Sequence, residues 1–448
     1  MNLASMLAAR GEAGRPVRVG LIGAGKFASM FLNRAPTVAG LHVVGIADLR
    51  PDAARSNLSY VGWPEERFAA TSLDDAAKGG GTYVTDDARA LIVHDAVDVV
   101  VECTGSPVAA VDHALAAFEA GKHVVNVTVE ADAFCGHALA KAADEAGVVY
   151  SMAYGDQPAL ACELVDWART CGFTVTAAGR GHKWLPHYRQ STPETVWDHW
   201  GLTPEQAERG RLNPKMFNAF LDGSKPSIES SAIANACGLE APREGLAFPP
   251  GSVDDIPSLM RPRAAGGVLE RAGLVEVISS LKPDGEAIPH DIRQGMWVSF
   301  EGDSAYLRNC FEEYGLLASP DGSHGAMYRR THLIGLELPV SIASVALRGE
   351  PTGRARHFNA DVVALAKRDL AAGEILDGEG GSTVSGGLRP AAWSVGEGCL
   401  PLGLAHDVTL KRAVKDGEPV RYEDVEVDTT TAAYRLRREM EASLRAGI

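Results

Sequence analysis

The chain has 448 residues, of which 46% are apolar and 23% are charged, as in ordinary globular proteins. Its formal net charge of −15 argues against a general surface for nucleic acids or anionic membranes, but it is compatible with a local cationic pocket for a phosphorylated substrate. No apolar run has the length that spans a bilayer, and the first residues lack the cationic-then-apolar order of a signal peptide. We therefore expect a cytoplasmic protein of two or three domains that binds neither nucleic acid nor membrane.

The cysteine pattern also favours a cytoplasmic protein. Their number is odd and no C-x-x-C pair occurs, so neither a disulfide framework nor a thiolate metal site is indicated. We expect reduced thiols at all seven positions: Cys103, Cys135, Cys162, Cys171, Cys237, Cys310 and Cys399.

The most informative motif lies near the start of the chain. The apolar run of residues 17–22 predicts a buried parallel strand, and the sequence Gly23-Ala24-Gly25-Lys26-Phe27-Ala28 follows it. These six residues fit the G-x-G-x-x-A turn that binds the phosphates of a dinucleotide at a helix start. Gly23 allows the tight turn, Gly25 lets the backbone approach a pyrophosphate, and Ala28 allows close packing of helix on strand. We expect all of them except Ala24 to contact the cofactor.

A second predicted strand, residues 42–47, ends in Asp48, roughly twenty residues beyond the turn, where a ribose-binding carboxylate is expected. Such a carboxylate favours NAD because it repels a 2′-phosphate. Arg50 is the candidate partner for that phosphate in NADP. Further cofactor contacts are predicted from residues that follow later strands: Thr104, Gly105, Ser106 and Glu130.

Strands and helices alternate over the first 155 residues. Strands are predicted at residues 97–101, 122–128 and 148–152, and helices at 107–120 and 135–146, with an irregular, glycine-rich excursion between Asp48 and Thr85. Repeated β-α-β units predict a doubly wound parallel Rossmann sheet in an NAD(P)-binding domain of residues 1–155. Ligands of such sheets lie beyond the carboxyl ends of the strands, so chemistry is expected in the loops 104–107, 129–132 and 154–158.

The remaining chain predicts two further domains. Residues 156–354 mix helical and strand-like segments and are interpreted as an α+β domain for substrate binding, catalysis and dimerisation. Residues 355–448 contain short strand candidates near 408–410 and 420, a turn at 415–418 and a charged helix at 432–446, which predicts a small, mostly-β module. A homodimer is the expected assembly because two-fold oligomers are the commonest kind.

Two carboxylates occupy predicted ligand-binding loops. Asp156 follows a strand, and its oxygens suit Mg²⁺ or Mn²⁺, but an aspartate just before Pro158 also fits a helix cap. Glu130, with Asp132 nearby, is a metal ligand, a partner of the nicotinamide ribose or a capping acid. The sequence leaves these alternatives open.

Cationic residues supply the other candidates. Lys183 and Lys225 lie in short polar loops and are candidates to bind phosphate or to protonate an alkoxide, and Glu229 follows Lys225 by one helical turn. That spacing also fits an ordinary salt bridge. A denser cluster, Arg329, Arg330 and His332, is interpreted as a clamp for the substrate phosphate, with a charged strand edge as the alternative.

These motifs resemble known families. The cofactor half, with its strand at residues 121–125, resembles homoserine dehydrogenases, and residues 367–376 resemble the SAF (antifreeze-like) module. The chain as a whole resembles the 1-deoxy-D-xylulose 5-phosphate reductoisomerase-like enzymes. The residues that carry this resemblance are Gly155-Asp156-Gln157-Pro158 and His332-Leu333-Ile334-Gly335-Leu336-Glu337.

The resemblance implies an NADPH-dependent oxidoreductase of isoprenoid precursor biosynthesis, which converts 1-deoxy-D-xylulose 5-phosphate to 2-C-methyl-D-erythritol 4-phosphate. It also implies a divalent metal, Mn²⁺ or Mg²⁺, for which Asp156 is the matching ligand, and NADPH bound with the help of Arg50. The chain has Val127-Thr128-Val129-Glu130 where homoserine dehydrogenases carry Thr-Ala-Asn-Lys. Two alternatives are a dehydrogenase of another small hydroxy substrate and a non-catalytic sensor that binds a dinucleotide.

Overall fold

A computed structural model of the chain describes residues 2–210 and 212–447. It contains two compact units. The first comprises the chain up to Leu160 together with His332–Arg354, and the second comprises Ala161–Thr331 and the chain from Ala355 onwards. This division differs from the three predicted domains, because residues 332–354 join the cofactor-side unit and residues 355–447 share one unit with residues 161–331.

The helices and strands follow one another along the chain. The α-helices are α1 Leu3–Glu12, α2 Lys26–Arg34, α3 Pro51–Tyr60, α4 Leu73–Gly79, α5 Ala88–Val93, α6 Pro107–Glu119, α7 Val129–Glu145, α8 Gln157–Thr170, α9 Val196–Trp200, α10 Pro204–Arg209, α11 Pro214–Leu221, α12 Ser224–Cys237, α13 Ile256–Leu259, α14 Ala305–Glu313, α15 Pro339–Arg348, α16 Ala391–Gly396 and α17 Ala432–Ala446. The strands are β1 Val17–Ile22, β2 Leu41–Ala47, β3 Tyr83–Thr85, β4 Val99–Glu102, β5 His123–Asn126, β6 Tyr150–Met152, β7 Val175–His182, β8 Leu274–Ser279, β9 Met296–Glu301, β10 His324–Arg329, β11 Ala360–Ala366, β12 Ile375–Asp377, β13 Val384–Pro390, β14 His406–Leu410 and β15 Val425–Glu426. Among the described residues, no helix combines the length and the apolar character needed to cross a membrane.

The first unit is built on a six-stranded sheet. Its strand order is β3-β2-β1-β4-β5-β6, and every neighbouring pair is parallel. This is the strand order of the doubly wound dinucleotide-binding fold. The central strands are buried on both faces: Leu21 and Val101 lie on one face, and the likewise buried Ile22 and Val100 lie on the other. The predicted doubly wound parallel sheet is confirmed.

Two local predictions in this unit are wrong. The segment between Asp48 and Thr85 is not irregular, because it forms α3, α4 and β3. Ser72 caps α4 by accepting a hydrogen bond from the Asp75 amide, and Gly80 ends the helix in the left-handed region.

The second wrong prediction concerns α7, which begins at Val129 instead of residue 135, so the predicted loop 129–132 is its first turn. The β-branched run before it resembles a longer strand. That strand ends at Asn126, whose side-chain amide donates to the Thr128 carbonyl and so turns the chain into the helix.

The second unit contains a mixed four-stranded sheet in the order β10-β9-β7-β8. β7 runs parallel to β8 and antiparallel to β9, which pairs antiparallel with β10. Gly179 in β7 is required by close packing, because a Cβ there would lie 1.8 Å from the Glu276 carbonyl oxygen. β7 places Lys183 directly after its last residue.

The C-terminal segment packs on α12 of the same unit. Short strands form two small sheets, β11-β13 and β12-β14-β15, and the predicted C-terminal helix is present as α17. Twelve of the fourteen residues of α12 are buried. Ser231 and Asn235 of this helix donate to the Ala360 carbonyl, and Ser224 Oγ accepts from the Gly386 amide. These contacts make the segment part of the unit's core and not a tethered module.

A buried ion pair joins the two parts of the second unit. Lys367 Nζ lies 3.1 Å from Asp222 Oδ2, both side chains are at most 2% exposed, and the ammonium also donates to the Gly381 carbonyl. Lys367→Ala leaves the Asp222 carboxylate buried without its cation, so we expect it to lower the free energy of unfolding by about 3–5 kcal/mol. Urea unfolding measures the change.

The control is Lys415→Ala, which removes a lysine whose pair with Asp369 is exposed. We expect little change there, since exposed ion pairs contribute little. Equal stability of Lys367→Ala and wild type would contradict a role of the buried pair in holding the unit together.

Candidate active site

The glycine turn lies at the carboxyl end of β1. Gly23 has a φ of +91°, and a Cβ at this position would lie 2.7 Å from the Cys103 carbonyl oxygen. Only glycine fits this conformation and this contact. Gly25 precedes α2, and the space that its Cβ would fill is open. The free amides of the α2 N-terminus therefore face a space that can accept phosphate groups.

Asp48 and Asn57 hold the turn from one side. Asp48 Oδ2 accepts from the Ala24 amide at 2.8 Å, and Oδ1 accepts from the Arg50 amide at 2.8 Å. Asn57 Nδ2 on α3 donates to the Ala24 carbonyl at 2.7 Å. The structure thus places the predicted ribose carboxylate beside the phosphate turn, with the Arg50 side chain exposed. Asn57 was missed, since no spacing marks an asparagine on this helix.

Glu102 organises the next loop. This last residue of β4 is fully buried and accepts from Thr104 Oγ1 at 2.6 Å and from Thr128 Oγ1. Thr128 Oγ1 in turn accepts from the Gly105 amide at 3.0 Å. Ser106 caps α6. The predicted cofactor residues Thr104, Gly105 and Ser106 therefore form an exposed loop shaped by a buried carboxylate that the sequence reading did not single out.

A buried carboxyl group lies at the ends of β5 and β6. Asp132 Oδ2 accepts from Asn126 Nδ2 at 2.8 Å, and the buried Tyr150 hydroxyl is near enough to act on the Asp132 carboxyl. Burial, opposed by Asn126 and Tyr150 and aided by the charges of Asp156 and Glu130, raises the pKa of Asp132 to about 7. Burial also raises the pKa of Tyr150. Asp132 can therefore hold or release a proton near neutral pH. The predicted contact Glu130 is half-buried in the first turn of α7.

The two motifs that carry the family resemblance meet in the first unit. Gly155 has a φ of +96°, and a Cβ on it would lie 2.8 Å from Glu337 Cβ. Gly335 has a φ of +73°, and a Cβ on it would lie 2.9 Å from the Phe27 carbonyl oxygen of α2. The segment 332–337 thus packs against both Gly155 and the helix that follows the glycine turn.

Asp156 is nine-tenths buried at the start of α8, where Oδ1 accepts from the Gln157 amide at 2.9 Å. This is a helix-end position, one of the two alternatives that the sequence left open. Across residues 2–210 and 212–447, no three His, Cys, Asp or Glu side chains are grouped so as to hold a metal ion. The side chains around Asp156 therefore do not fit the predicted divalent metal as a preformed site.

The predicted catalytic residues of the second unit lie on two elements. Lys183 Nζ donates to the His199 carbonyl at 2.7 Å, and burial lowers its pKa, as does the charge of Arg293. Lys225 is half-buried in the first turn of α12. Glu229 is buried and forms an ion pair with the buried Arg180. Glu229 therefore forms a salt bridge with Arg180 of β7, whereas the spacing in the sequence suggested Lys225 as the partner.

The predicted phosphate clamp is divided between the units. Arg329 ends β10, an edge strand of the second unit's sheet, and its Nε donates to the Thr331 carbonyl at 3.1 Å. Arg330 is exposed, and His332 belongs to the first unit. The roles of these three residues stay predictions, as do those of Lys183, Lys225 and Glu229.

Two family profiles match the chain. The profile described as the homoserine dehydrogenase NAD-binding domain covers residues 19–152, which contain the glycine turn and all but the first two residues of the six-stranded sheet. The profile described as the catalytic domain of the oxidoreductase DRL covers residues 155–338. Over these two regions the chain is similar to NAD-binding oxidoreductases. None of the curated proteins matches it.

Solved structures of dehydrogenases are similar to this chain at low identity. A probable dehydrogenase from Thermotoga maritima is 15% identical over 75% of this chain and 90% of that one, with a TM-score of 0.36. The WlbA dehydrogenase from Bordetella pertussis, in complex with NADH and UDP-GlcNAcA, is 20% identical over 38% of this chain, with a TM-score of 0.27. The myo-inositol dehydrogenase from Lactobacillus casei is 17% identical over 40%, with a TM-score of 0.28. The chain spans 45% and 50% of the length of the last two.

The buried Asp132 makes stability depend on pH. Its pKa is about 7 in the folded chain and 3.8 ordinarily, so between these values the folded state retains a proton that the unfolded state releases. The stabilisation is complete below about pH 4 and is lost as the pH rises to about 7, at up to about 1.4 kcal/mol per pH unit. We expect Asp132→Asn, which cannot ionise, to lack this contribution.

Urea unfolding of both proteins across that pH range measures the difference between the two slopes. Asp112→Asn, on an exposed position of α6, is the matched control and should follow the wild type. The same slope in Asp132→Asn and wild type would show that Asp132 does not exchange its proton in this range.

Proposed function

We propose that the chain is an NADPH-dependent reductoisomerase that converts 1-deoxy-D-xylulose 5-phosphate to 2-C-methyl-D-erythritol 4-phosphate. The observation that carries the proposal is the meeting of the motifs 155–158 and 332–337. They stand at the two ends of the region that matches the DRL catalytic domain, and both pack in the unit that bears the glycine turn. The catalytic region thus begins and ends on the dinucleotide-binding unit.

The reaction breaks one carbon–carbon bond and forms another, which gives a branched aldehyde. A hydride and a proton then reduce this aldehyde to an alcohol, and bound NADPH supplies the hydride. The protein must bind the substrate's phosphate, hold its oxygens and supply the proton. Lys183 and Lys225 are the proposed cations for these tasks, and Asp132 is a buried group that can exchange a proton near neutral pH.

A second candidate is a dehydrogenase of another small hydroxy substrate without rearrangement. The homoserine dehydrogenase profile over residues 19–152 favours it. The absence of a lysine in Val127-Thr128-Val129-Glu130 separates this chain from homoserine dehydrogenases themselves. The two candidates differ in substrate class, since only the first requires a ketose phosphate.

The deciding experiment is a substrate panel in which oxidation of NADPH is followed by absorbance, with and without Mn²⁺. We expect turnover of deoxyxylulose phosphate and none of homoserine. Asp156→Asn belongs in the same panel, because its amide oxygen still accepts from Gln157 while the charge is lost. If that charge acts on the substrate, kcat falls by about 100-fold or more and NADPH affinity is unchanged. If Asp156→Asn turns over substrate as fast as the wild type, the Asp156 carboxylate has a role only at the start of α8.

Cofactor choice depends on Arg50. Its side chain is exposed next to Asp48, where it can pair with the 2′-phosphate of NADP. We expect Arg50→Ala to raise KM for NADPH by about tenfold or more and to change KM for NADH little, since only NADPH carries that phosphate. Steady-state kinetics with both cofactors test this.

Arg89→Ala is the matched control, an exposed arginine on α5 whose partner is Glu119. It should leave both KM values unchanged. Equal effects of Arg50→Ala on the two cofactors would remove the assignment of Arg50 to the 2′-phosphate.

A further inference from the structure

Two cations flank one tryptophan in the second unit. The Lys183 ammonium lies 5.5 Å from the centre of the Trp200 ring, and the Arg293 guanidinium lies 5.0 Å from it. Lys183 follows β7, Trp200 ends α9, and Arg293 lies shortly before β9. Three separate elements therefore bring an aromatic ring and two positive charges to one place.

The tryptophan is held in position. Its Nε1 donates to the Phe217 carbonyl at 3.4 Å, and the Phe217 ring meets it edge-on at 5.5 Å. A fixed ring restricts the two long cationic side chains that pack on it. The cations are therefore placed before any ligand arrives, which lowers the entropic cost of binding.

Neither cation of the pair has a carboxylate in direct contact within the described part of the chain. Among the described residues, no carboxylate oxygen lies within 4.0 Å of either cation, whereas the nearby Arg180 is paired with Glu229. The Asp291 carboxylate accepts from the backbone amide of Arg293 at 2.7 Å, and its charge partly offsets that of the Arg293 guanidinium without forming an ion pair with it. Burial, followed by the charge of Arg293, lowers the pKa of Lys183, and burial also lowers the pKa of Arg293.

Other polar groups surround the pair. The Tyr188 ring lies 4.9 Å from His199 and 4.7 Å from His187, and the charge of Arg293 acts on the Tyr188 hydroxyl. One of the three N–H groups of the Lys183 ammonium donates a hydrogen bond to the His199 carbonyl. The cluster therefore combines unused cationic donors with neutral donors, in a chain whose net charge is −15. An anion bound there would offset the repulsion between the two cations.

We propose that Lys183 and Arg293 form the subsite that binds the phosphate group of a sugar phosphate, with Trp200 fixing both side chains. This assignment rests on the proposed function. It gives the substrate's phosphate to Lys183 and Arg293 and not to the clamp of Arg329, Arg330 and His332 that the sequence predicts. The guanidinium matches two phosphate oxygens at once, and the ammonium adds a point charge. Both are half-buried, so they are less screened than the exposed Arg330.

Direct binding tests the subsite without turnover. Calorimetry on the full chain measures the affinity for inorganic phosphate, for deoxyxylulose phosphate and for deoxyxylulose. The variants are Lys183→Met, Arg293→Gln and the control Arg243→Gln, which changes an exposed arginine of the same unit. We expect each cation variant to bind both phosphates about tenfold or more weakly and the control to bind them like wild type. Deoxyxylulose should show no such difference between the proteins.

Fluorescence supplies a second readout. Phosphate should change the intrinsic tryptophan emission of the wild type, and Trp200→Phe should lose that change. Unaltered phosphate affinity in both cation variants would overturn the proposal. So would a lack of phosphate binding by the wild type, or a loss of binding in Arg330→Ala instead.

The results separate this proposal from the reductoisomerase assignment. Phosphate binding that depends on Lys183 and Arg293, without turnover of deoxyxylulose phosphate, would support the subsite and overturn the substrate. Turnover of deoxyxylulose phosphate with an unchanged KM in Arg293→Gln would support the substrate and overturn the subsite.

Discussion

The close approach of Gly23 to the Cys103 carbonyl is the constraint on which the dinucleotide site depends. A side chain at Gly23 would push apart the ends of β1 and β4, whose loops must meet above the sheet. Because no Cβ is present, the turn can bend sharply and start α2 with its amides exposed. Asp48 and Asn57 then bind the backbone of Ala24 from β2 and α3. The lack of a side chain at Gly23, together with the hydrogen bonds of Asp48 and Asn57, thus places the N-terminus of α2 where phosphates bind.

Buried carboxyl groups shape the neighbouring loops. Glu102 accepts hydrogen bonds from the hydroxyls of Thr104 and Thr128, and Asp132 lies against Asn126 and Tyr150. Taking a carboxylate out of water is costly unless hydrogen bonds compensate it. Glu102 accepts hydrogen bonds from two hydroxyl groups. At Asp132 the effect of burial is larger than that of hydrogen bonding, so the pKa of its carboxyl is raised. The same sheet edge therefore holds a loop-organising carboxylate and a group that exchanges a proton near neutral pH.

The second unit depends on polar contacts within its interior. α12 is buried nearly all round, and its serines and Asn235 bind backbone groups of the C-terminal segment. Lys367 and Asp222 add a buried ion pair. Such contacts fix the register of two distant chain segments, because each buried donor must meet its acceptor. The firmly packed unit then presents Lys183 and Arg293 on the Trp200 ring.

The sequence by itself determined the glycine turn, the alternation of strands and helices, the C-terminal helix and the position of Asp48. These features follow from local spacing and from conformations that only certain residues adopt. Helix α7 was predicted too short, since β-branched residues before it resemble a strand. Even there, the hydrophobic pattern identified the helix itself.

Only the tertiary structure decided which distant residues meet. It placed residues 332–354 in the cofactor-side unit, paired Glu229 with Arg180, and set Arg293 on the same ring as Lys183. Partners separated by tens to hundreds of residues leave no periodic trace in the sequence. Their contacts arise from the packing of whole elements, so the chemistry of the buried carboxyl groups and of the cationic cluster became visible only in the folded chain.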